Sequence, residues 1–297
     1  MADPTINEQN RRSWNAAVPA HASHRPHLAA FLRAGGLTLF PEERELLGEV
    51  AGTRLLHVMC NTGQDTLSLA ALGAEATGVD LSDAAIAEAR RLSVETGIAA
   101  RFVHDDVYTY LAAASAGAFE RVYAGYGVIC WLPDLAAFAR GVARVLAPGG
   151  RFVLMEFHPL SNMFDQEWRL AHGYPAGGAR LTLPGVGDYV GAAAGGLSPG
   201  GFAGGQQDFV NPHPCHLFRW GVGEVVSALA TAGLQIVALR EHPFVNGERP
   251  FARMRPAPGR RWLPPADVPP LPLMYGLAAE APHSTHRPEA RPERLLD

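Results

Sequence analysis

The sequence predicts an α/β protein: a doubly wound, mostly parallel sheet of seven strands, with insertions after strand five and between the last two strands. Three observations carry that expectation. From residue 54 to 157, short β-rich runs alternate with stretches of helical period at intervals of about 25 residues. Most of these runs are apolar on both faces, as strands of a covered parallel sheet are, and right-handed crossovers make such a sheet doubly wound. The same alternation resumes after residue 220.

Residues 1–50 are expected to form a helical cap segment ahead of the main domain, 51–280. Leu55–Met59 is the first strand, and the helix Thr66–Leu72 ends at Gly73, a residue suited to the left-handed position past a helix. Ala76–Val79 is the second strand and runs into Asp80. Ser82 is a competent N-cap for a helix carrying Ala85, Ile86, Ala89 and Leu92 on one face and stopped by Gly97. Arg101–Val103 leads to Asp105 and Asp106, and Arg121–Ala124 leads to Gly125-Tyr126-Gly127. Asp134 caps a helix with Leu135, Phe138, Val142, Val145 and Leu146 in helical spacing; Pro148-Gly149-Gly150 then breaks the chain before Phe152–Phe157. Val222, Val225, Val226 and Leu229 give a last helix, followed by strands Leu234–Leu239 and Leu273–Ala279.

Two stretches fall outside the alternation: 158–219, rich in Gly, Pro and aromatics, and 243–272, rich in Pro and Arg. Such lengths are uncommon for loops without a function. Both are expected to lie over the carboxyl edge of the sheet, where ligands bind in open α/β folds. Residues 281–297 read as a mobile tail.

With 297 residues, 47% hydrophobic and 18% charged, the chain can bury a sizeable core. A net charge of −4 gives no general attraction for nucleic acid or an anionic membrane surface, so neither is an expected partner. Cys60, Cys130 and Cys215 are too widely spaced for a metal site or a disulfide framework, and no metal is expected. The first residues lack an apolar signal core, and no run reaches the ~18 apolar residues of a membrane span, which reads as a cytoplasmic chain.

The ends of the first four strands each carry a group able to hold part of one ligand. Cys60-Asn61-Thr62-Gly63-Gln64-Asp65 follows strand one, where Gly63 permits a tight turn and close backbone approach. Asp80 and Leu81 follow strand two, Asp106 and Val107 strand three, and Gly125-Tyr126 strand four. The dinucleotide fingerprint G-x-G-x-x-G is absent. In this order the groups meet four demands of S-adenosylmethionine: amides for a carboxylate, an acid for the ribose hydroxyls, a polar group for the adenine amine, and room for an acceptor.

The stretches LLHVMCNTGQDTLSLA, ATGVDLSDAAI, GVICWLPDL and LAPGGRF resemble the class I S-adenosylmethionine-dependent methyltransferases over about residues 52–157. SWNAAVPAHASH resembles the N-terminal segment of a variant branch, in which a Gly-Gln-Asp turn replaces the usual acidic, multi-glycine first loop. The resemblance implies a Rossmann-like methyltransferase fold, S-adenosyl-L-methionine as cofactor and S-adenosyl-L-homocysteine as product. It also implies in-line methyl transfer to an O, N or C nucleophile of a small molecule of specialised metabolism. By the same resemblance Asn61, Gly63 and Gln64, with Cys60, hold the amino-acid end. Asp80 with Leu81 holds the ribose, Asp106 with Val107 the adenine, and Gly125 and Tyr126 lie by the departing methyl group.

Plainer roles stand beside these. Asp80 can cap a helix, although Ser82 already serves; Asp106 can be an ordinary loop carboxylate, or Asp105 the one that matters. Asp65 favours a helix N-terminus whatever the function. His57 reads as a packed core histidine. As general base the candidates are His158 and Glu156, expected to face the substrate pocket; the plainer readings are a solvated loop histidine and a carboxylate at a helix interface. His213, His216 and Trp220, with Trp14, Asn15 and His21, are expected to line that pocket. The cluster Arg249, Arg253, Arg255, Arg260 and Arg261 is either a solvated surface or a grip on an anionic substrate, the latter through Arg253 and Arg255. A cofactor-binding regulator, or a non-methyl enzyme using the same cofactor, are the rival functions.

Overall fold

The structure, a computed structural model, describes residues 4–283. Helices α1 (Pro4–Ser23), α2 (Leu28–Arg33) and α3 (Pro41–Leu47) precede β1 (Arg54–Val58). The chain then alternates through α4 (Gln64–Ala71), β2 (Glu75–Asp80), α5 (Asp83–Thr96), β3 (Arg101–His104), α6 (Val107–Ala113), β4 (Phe119–Gly125), α7 (Leu135–Val145) and β5 (Leu146–Phe157). After β5 come β6 (Ala179–Leu183), α8 (Tyr189–Ala192), β7 (Cys215–Arg219), α9 (Val222–Thr231) and β8 (Gln235–His242). The short strands β9 (Val245–Asn246), β10 (Arg255–Ala257) and β11 (Arg261–Leu263) lead to β12 (Met274–Glu280).

Seven strands form one sheet in the order β3-β2-β1-β4-β5-β12-β8, with β12 antiparallel to both neighbours. This is the expected doubly wound, Rossmann-like methyltransferase arrangement. The chain steps outward from β1 to β3 and returns to place β4 on the other side of β1, so the order reverses between β1 and β4 and opens a crevice at their carboxyl ends.

Local signals explain the elements. Ser82 Oγ accepts the Ala85 amide at 3.0 Å and Asp134 accepts that of Ala137 at 2.8 Å, capping α5 and α7. Successive side chains of β5 enter opposite layers: Phe152 and Leu154 pack in one core, Val153 and Met155 in the other, and all four are fully buried. Two details differ from expectation. Strand β5 begins at Leu146, which already pairs with Phe119 of β4; Pro148-Gly149-Gly150 then bulges, with Gly149 at φ 72°, before Arg151 resumes the pairing. Helix α6 was not foreseen, since seven residues show too little periodicity.

The two long stretches are not structureless. Strands β6 and β7 pair in one small antiparallel sheet, and β9, β10 and β11 form another. Helix α1 is fastened across the carboxyl edge by polar bonds: Asn7 to Asp106, Asn10 to the His216 carbonyl, Ser13 to the His213 carbonyl, and Arg11 and Asn15 to Asp83. No helix among the described residues is long and apolar enough to cross a membrane. The stretch expected to be a mobile tail lies, from residue 284, outside the described residues.

Candidate active site

The backbone bends sharply where β1 and β4 end. Met59, Asn61 and Tyr126 hold φ of 54°, 50° and 45°, and Gly63 and Gly127 hold 74° and 76°. A non-glycine residue in this region costs roughly 1–2 kcal/mol, and such strain collects at functional sites. A β-carbon at Gly63 would lie 2.6 Å from the Phe102 ring and 2.7 Å from the Ala89 methyl, so glycine alone fits the turn.

These turns floor a cavity of about 440 Å³, walled by α1 and by residues of both long stretches. Cys60, Asn61, Gln64, Asp80, Leu81, Asp106, Val107, Gly125, Tyr126 and Trp14 all stand on its wall. Gly63 shapes the turn without reaching the wall. Asp80 ties two turns together, one oxygen accepting the Asn61 amide and the other the Ser82 amide, each at 2.8 Å. Burial nonetheless raises its pKa. Asp106 caps α6 through the amides of Tyr108 and Thr109 while its second oxygen accepts the Asn7 amide, so the plainer capping role is fulfilled. Asp105, also on the wall, accepts the Asp106 amide. The Cys60 thiol is buried and its pKa pushed up, leaving it a small wall residue rather than a nucleophile.

Tyr126 presents its ring to the cavity between Phe40 and Phe157. Its hydroxyl donates to Glu43 at 3.3 Å and accepts from Asn246 at 3.1 Å. Glu43 also accepts the Phe40 amide and the Tyr123 hydroxyl, and burial raises its pKa to about 8. His57 packs against Tyr123 with Nδ1 on the Thr66 hydroxyl; burial lowers its pKa to about 3, so it is a neutral core histidine.

Several expected positions lie elsewhere. Glu156 turns away from the cavity: its carboxylate accepts the amides of Gly127, Ile129 and Phe157, because the loop leaving β4 has no strand partner for them. His158 also misses the cavity, its Nε2 pairing with Glu241 at 3.0 Å and its Nδ1 accepting the Leu160 amide. Trp220 donates its indole N–H to the Leu132 carbonyl, and His213 holds Ser13 and Asn211 through its backbone. His216 joins Thr182 and Gln9 one layer behind the wall. His21 bonds the Gly187 carbonyl and backs Tyr189, and Asn15 serves the start of α5. Arg253 and Arg255 are exposed, spent on Asp267 and on the Pro264 carbonyl, so the grip on an anion expected of them is not built at the cavity.

No motif or periodicity announces three further wall residues. The Arg25 side chain has no hydrogen-bond partner among the described residues, its Nε is an orphaned buried donor, and burial lowers its pKa. Tyr189, from α8, accepts the side-chain amide of Asn61 at 3.3 Å beside Trp14. Glu248 enters from the second long stretch. The other wall arginine, Arg260, is committed to the Gly196 and Thr38 carbonyls and lies 4.1 Å over the Phe40 ring.

Residues 55–150 match a family described as "Methyltransferase domain". The chain is similar to a ubiquinone biosynthesis O-methyltransferase of Xanthomonas axonopodis pv. citri, with 37% identity over 106 residues, 36% of this chain and 44% of that protein. It therefore spans less than half the length of that relative. An uncharacterised methyltransferase of Synechocystis sp. is 30% identical over 153 residues, 51% of this chain and 69% of that one. Among solved structures, an S-adenosylmethionine dependent methyltransferase from Mesorhizobium loti shares the fold, with a TM-score of 0.52 and 22% identity over 83% of this chain and 99% of that chain.

Proposed function

This chain belongs to the class I S-adenosylmethionine-dependent methyltransferase family, and on that footing we propose that it methylates a small, neutral, largely apolar molecule on oxygen. The observation that carries the proposal is Asp80: a buried carboxylate at the end of β2, fixed by two amides and facing the crevice where the strand order reverses. The residues around it suit S-adenosylmethionine. Arg25, with its orphaned donor, and the turn around Gly63 would hold the amino-acid carboxylate. Asp80 would accept the ribose hydroxyls, Leu81 and Val107 would flank the adenine, and Asp105 or Asp106 would meet its amine. When bound, the cofactor supplies a methyl carbon already activated by its sulfonium.

The protein's own task is alignment and exclusion of water. Holding nucleophile and methyl about 3–3.5 Å apart accounts for several kcal/mol of barrier lowering. The roof formed by α1, α8 and the paired strands β6 and β7 would limit the access of water to the crevice. A neutral acceptor follows from the wall: Arg25 serves the cofactor, and Arg260 is already spent on carbonyls and a ring. The relative's name, an O-methyltransferase of ubiquinone biosynthesis, supports oxygen as the acceptor atom. A cytoplasmic location is part of the same proposal.

Titration calorimetry with S-adenosylhomocysteine tests the first half. Asp80→Ala is expected to weaken binding about tenfold or more, since each lost charge-assisted bond is worth roughly 1.5–3 kcal/mol. Unchanged affinity would remove Asp80 from this role. Mass spectrometry of phenolic and quinol acceptors, looking for the gain of one CH₂, tests the second.

A further inference from the structure

Glu248 stands in the turn after β9, on the cavity wall, with Cys130 of the loop after β4 and Tyr189 of α8 among its neighbours. That turn is held in one shape. The Gly247 amide donates to the Arg260 carbonyl at 2.8 Å, the Glu248 amide to the Asn246 carbonyl at 2.7 Å, and the Trp262 indole to the Gly247 carbonyl at 3.2 Å. Gly247 has φ +71°, and a β-carbon there would lie 2.5 Å from Leu197.

The carboxylate at the end of this fixed turn has no hydrogen bond or ion pair with any described residue. Every other carboxylate on the wall is spent on protein donors. Asp80 holds two amides, Asp105 one, Asp106 the start of α6 and Asn7, Asp65 the Thr38 hydroxyl, and Glu43 an amide and two tyrosines. Glu248 is part-buried and faces the cavity, so its carboxylate is the one on the wall left free to meet a bound molecule.

We propose that Glu248 is the general base that takes the proton of a neutral hydroxyl acceptor, a phenol or an enol, as its oxygen attacks the methyl carbon. This rests on the methyl-transfer reading above. In the step the O–H bond breaks and its proton moves to a Glu248 Oε. An oxygen pair forms the O–C bond, the C–S pair leaves with sulfur, and the proton later passes to solvent. The titratable groups whose charge Glu248 shares are Glu156 of β5, off the cavity wall, with Cys130 and Tyr189 on it, and none is a cation. Burial and Glu156 push its pKa up to about 7, near the value at which a base works best at neutral pH. A carboxyl poised there is a poor counter-ion for an ammonium, which favours a hydroxyl over an amine.

The experiment compares wild type with Glu248→Gln on catechol and on 4-nitrocatechol, which is largely ionised at neutral pH. The variant is expected to lose about 10²–10⁴-fold in kcat on catechol, regaining it as pH rises, and less than tenfold on 4-nitrocatechol. Its S-adenosylhomocysteine affinity should match wild type, and its melting temperature at neutral pH should be no lower than that of wild type. Of the infrared carboxyl bands that titrate near neutrality, the component near pH 7 should be lost in the variant while that of Glu43 near pH 8 remains. Equal losses on both acceptors, an unchanged catechol rate, no loss of that component, or no turnover of any hydroxyl acceptor by protein that binds S-adenosylhomocysteine normally would each overturn the proposal. Failure of wild type to bind S-adenosylhomocysteine would instead overturn the methyl-transfer reading, and the base assignment with it.

Discussion

Replacing Arg25 by Met keeps an unbranched apolar stem and removes the guanidinium. That group has an unpartnered Nε, and neither Asp65 nor Asp188, whose charges it feels, forms an ion pair with it. A desolvated and poorly paired cation is carried at a cost to folding, so Arg25→Met is expected to raise the melting temperature of the ligand-free protein. Binding should move the other way. Two charge-assisted bonds to the cofactor carboxylate at roughly 1.5–3 kcal/mol each amount to roughly 3–6 kcal/mol. Water replaces part of that in the variant, which leaves about 3 kcal/mol, or a loss of roughly 100-fold in affinity for S-adenosylhomocysteine. Thermal melting without ligand and titration calorimetry with it read the two effects separately. An affinity within threefold of wild type, or a lowered melting temperature, would refute the assignment of Arg25 as a ligand clamp.

Glu43 gives a pH signature. Its folded-state pKa of about 8 lies above the ordinary glutamate value of 4.5, so across that window the folded chain keeps a proton the unfolded chain has lost. Its contribution is fully present below about pH 4.5 and falls as pH rises, by up to about 1.4 kcal/mol per pH unit. Glu43→Gln is therefore expected to flatten the decline in stability between pH 5 and 8 in urea melts, and an unchanged slope would contradict the assignment. The double variant Arg253→Met, Arg255→Met should leave both KM and S-adenosylhomocysteine affinity within about twofold of wild type, because both side chains are exposed and bonded away from the cavity. A large rise in KM would restore the anionic-substrate reading.

The sheet was legible because its signals are local. Apolar runs, the Ser82 and Asp134 caps and the Gly63 turn each act within a few residues, and their order along the chain is the order of the βα units. The wall of the site was only half legible. Asp80 is placed by the strand that ends at it, whereas Arg25, Tyr189 and Glu248 reach the cavity through packing of α1, α8 and the turn after β9, which no sequence period announces. Glu156 and His158 misled for a related reason. Their position at the end of β5 is local and readable, but the direction of each side chain is set by amides of the β4 loop and by Glu241 on β8.

Strand β12 lies between β5 and β8 and pairs with both along its whole length, so the hairpin of β9, β10 and β11 leaves and re-enters the sheet at one clamped edge. The groups assigned to the nucleoside belong to the β1–β3 half, on the far side of the reversal in strand order. On the proposed reading, lengthening or recasting residues 243–272 would reshape the acceptor side of the cavity while the Asp80 turn kept its geometry. Two chemical tasks are thereby separable by mutation, and descendants of one such scaffold can exchange substrates without relearning how to hold their methyl donor.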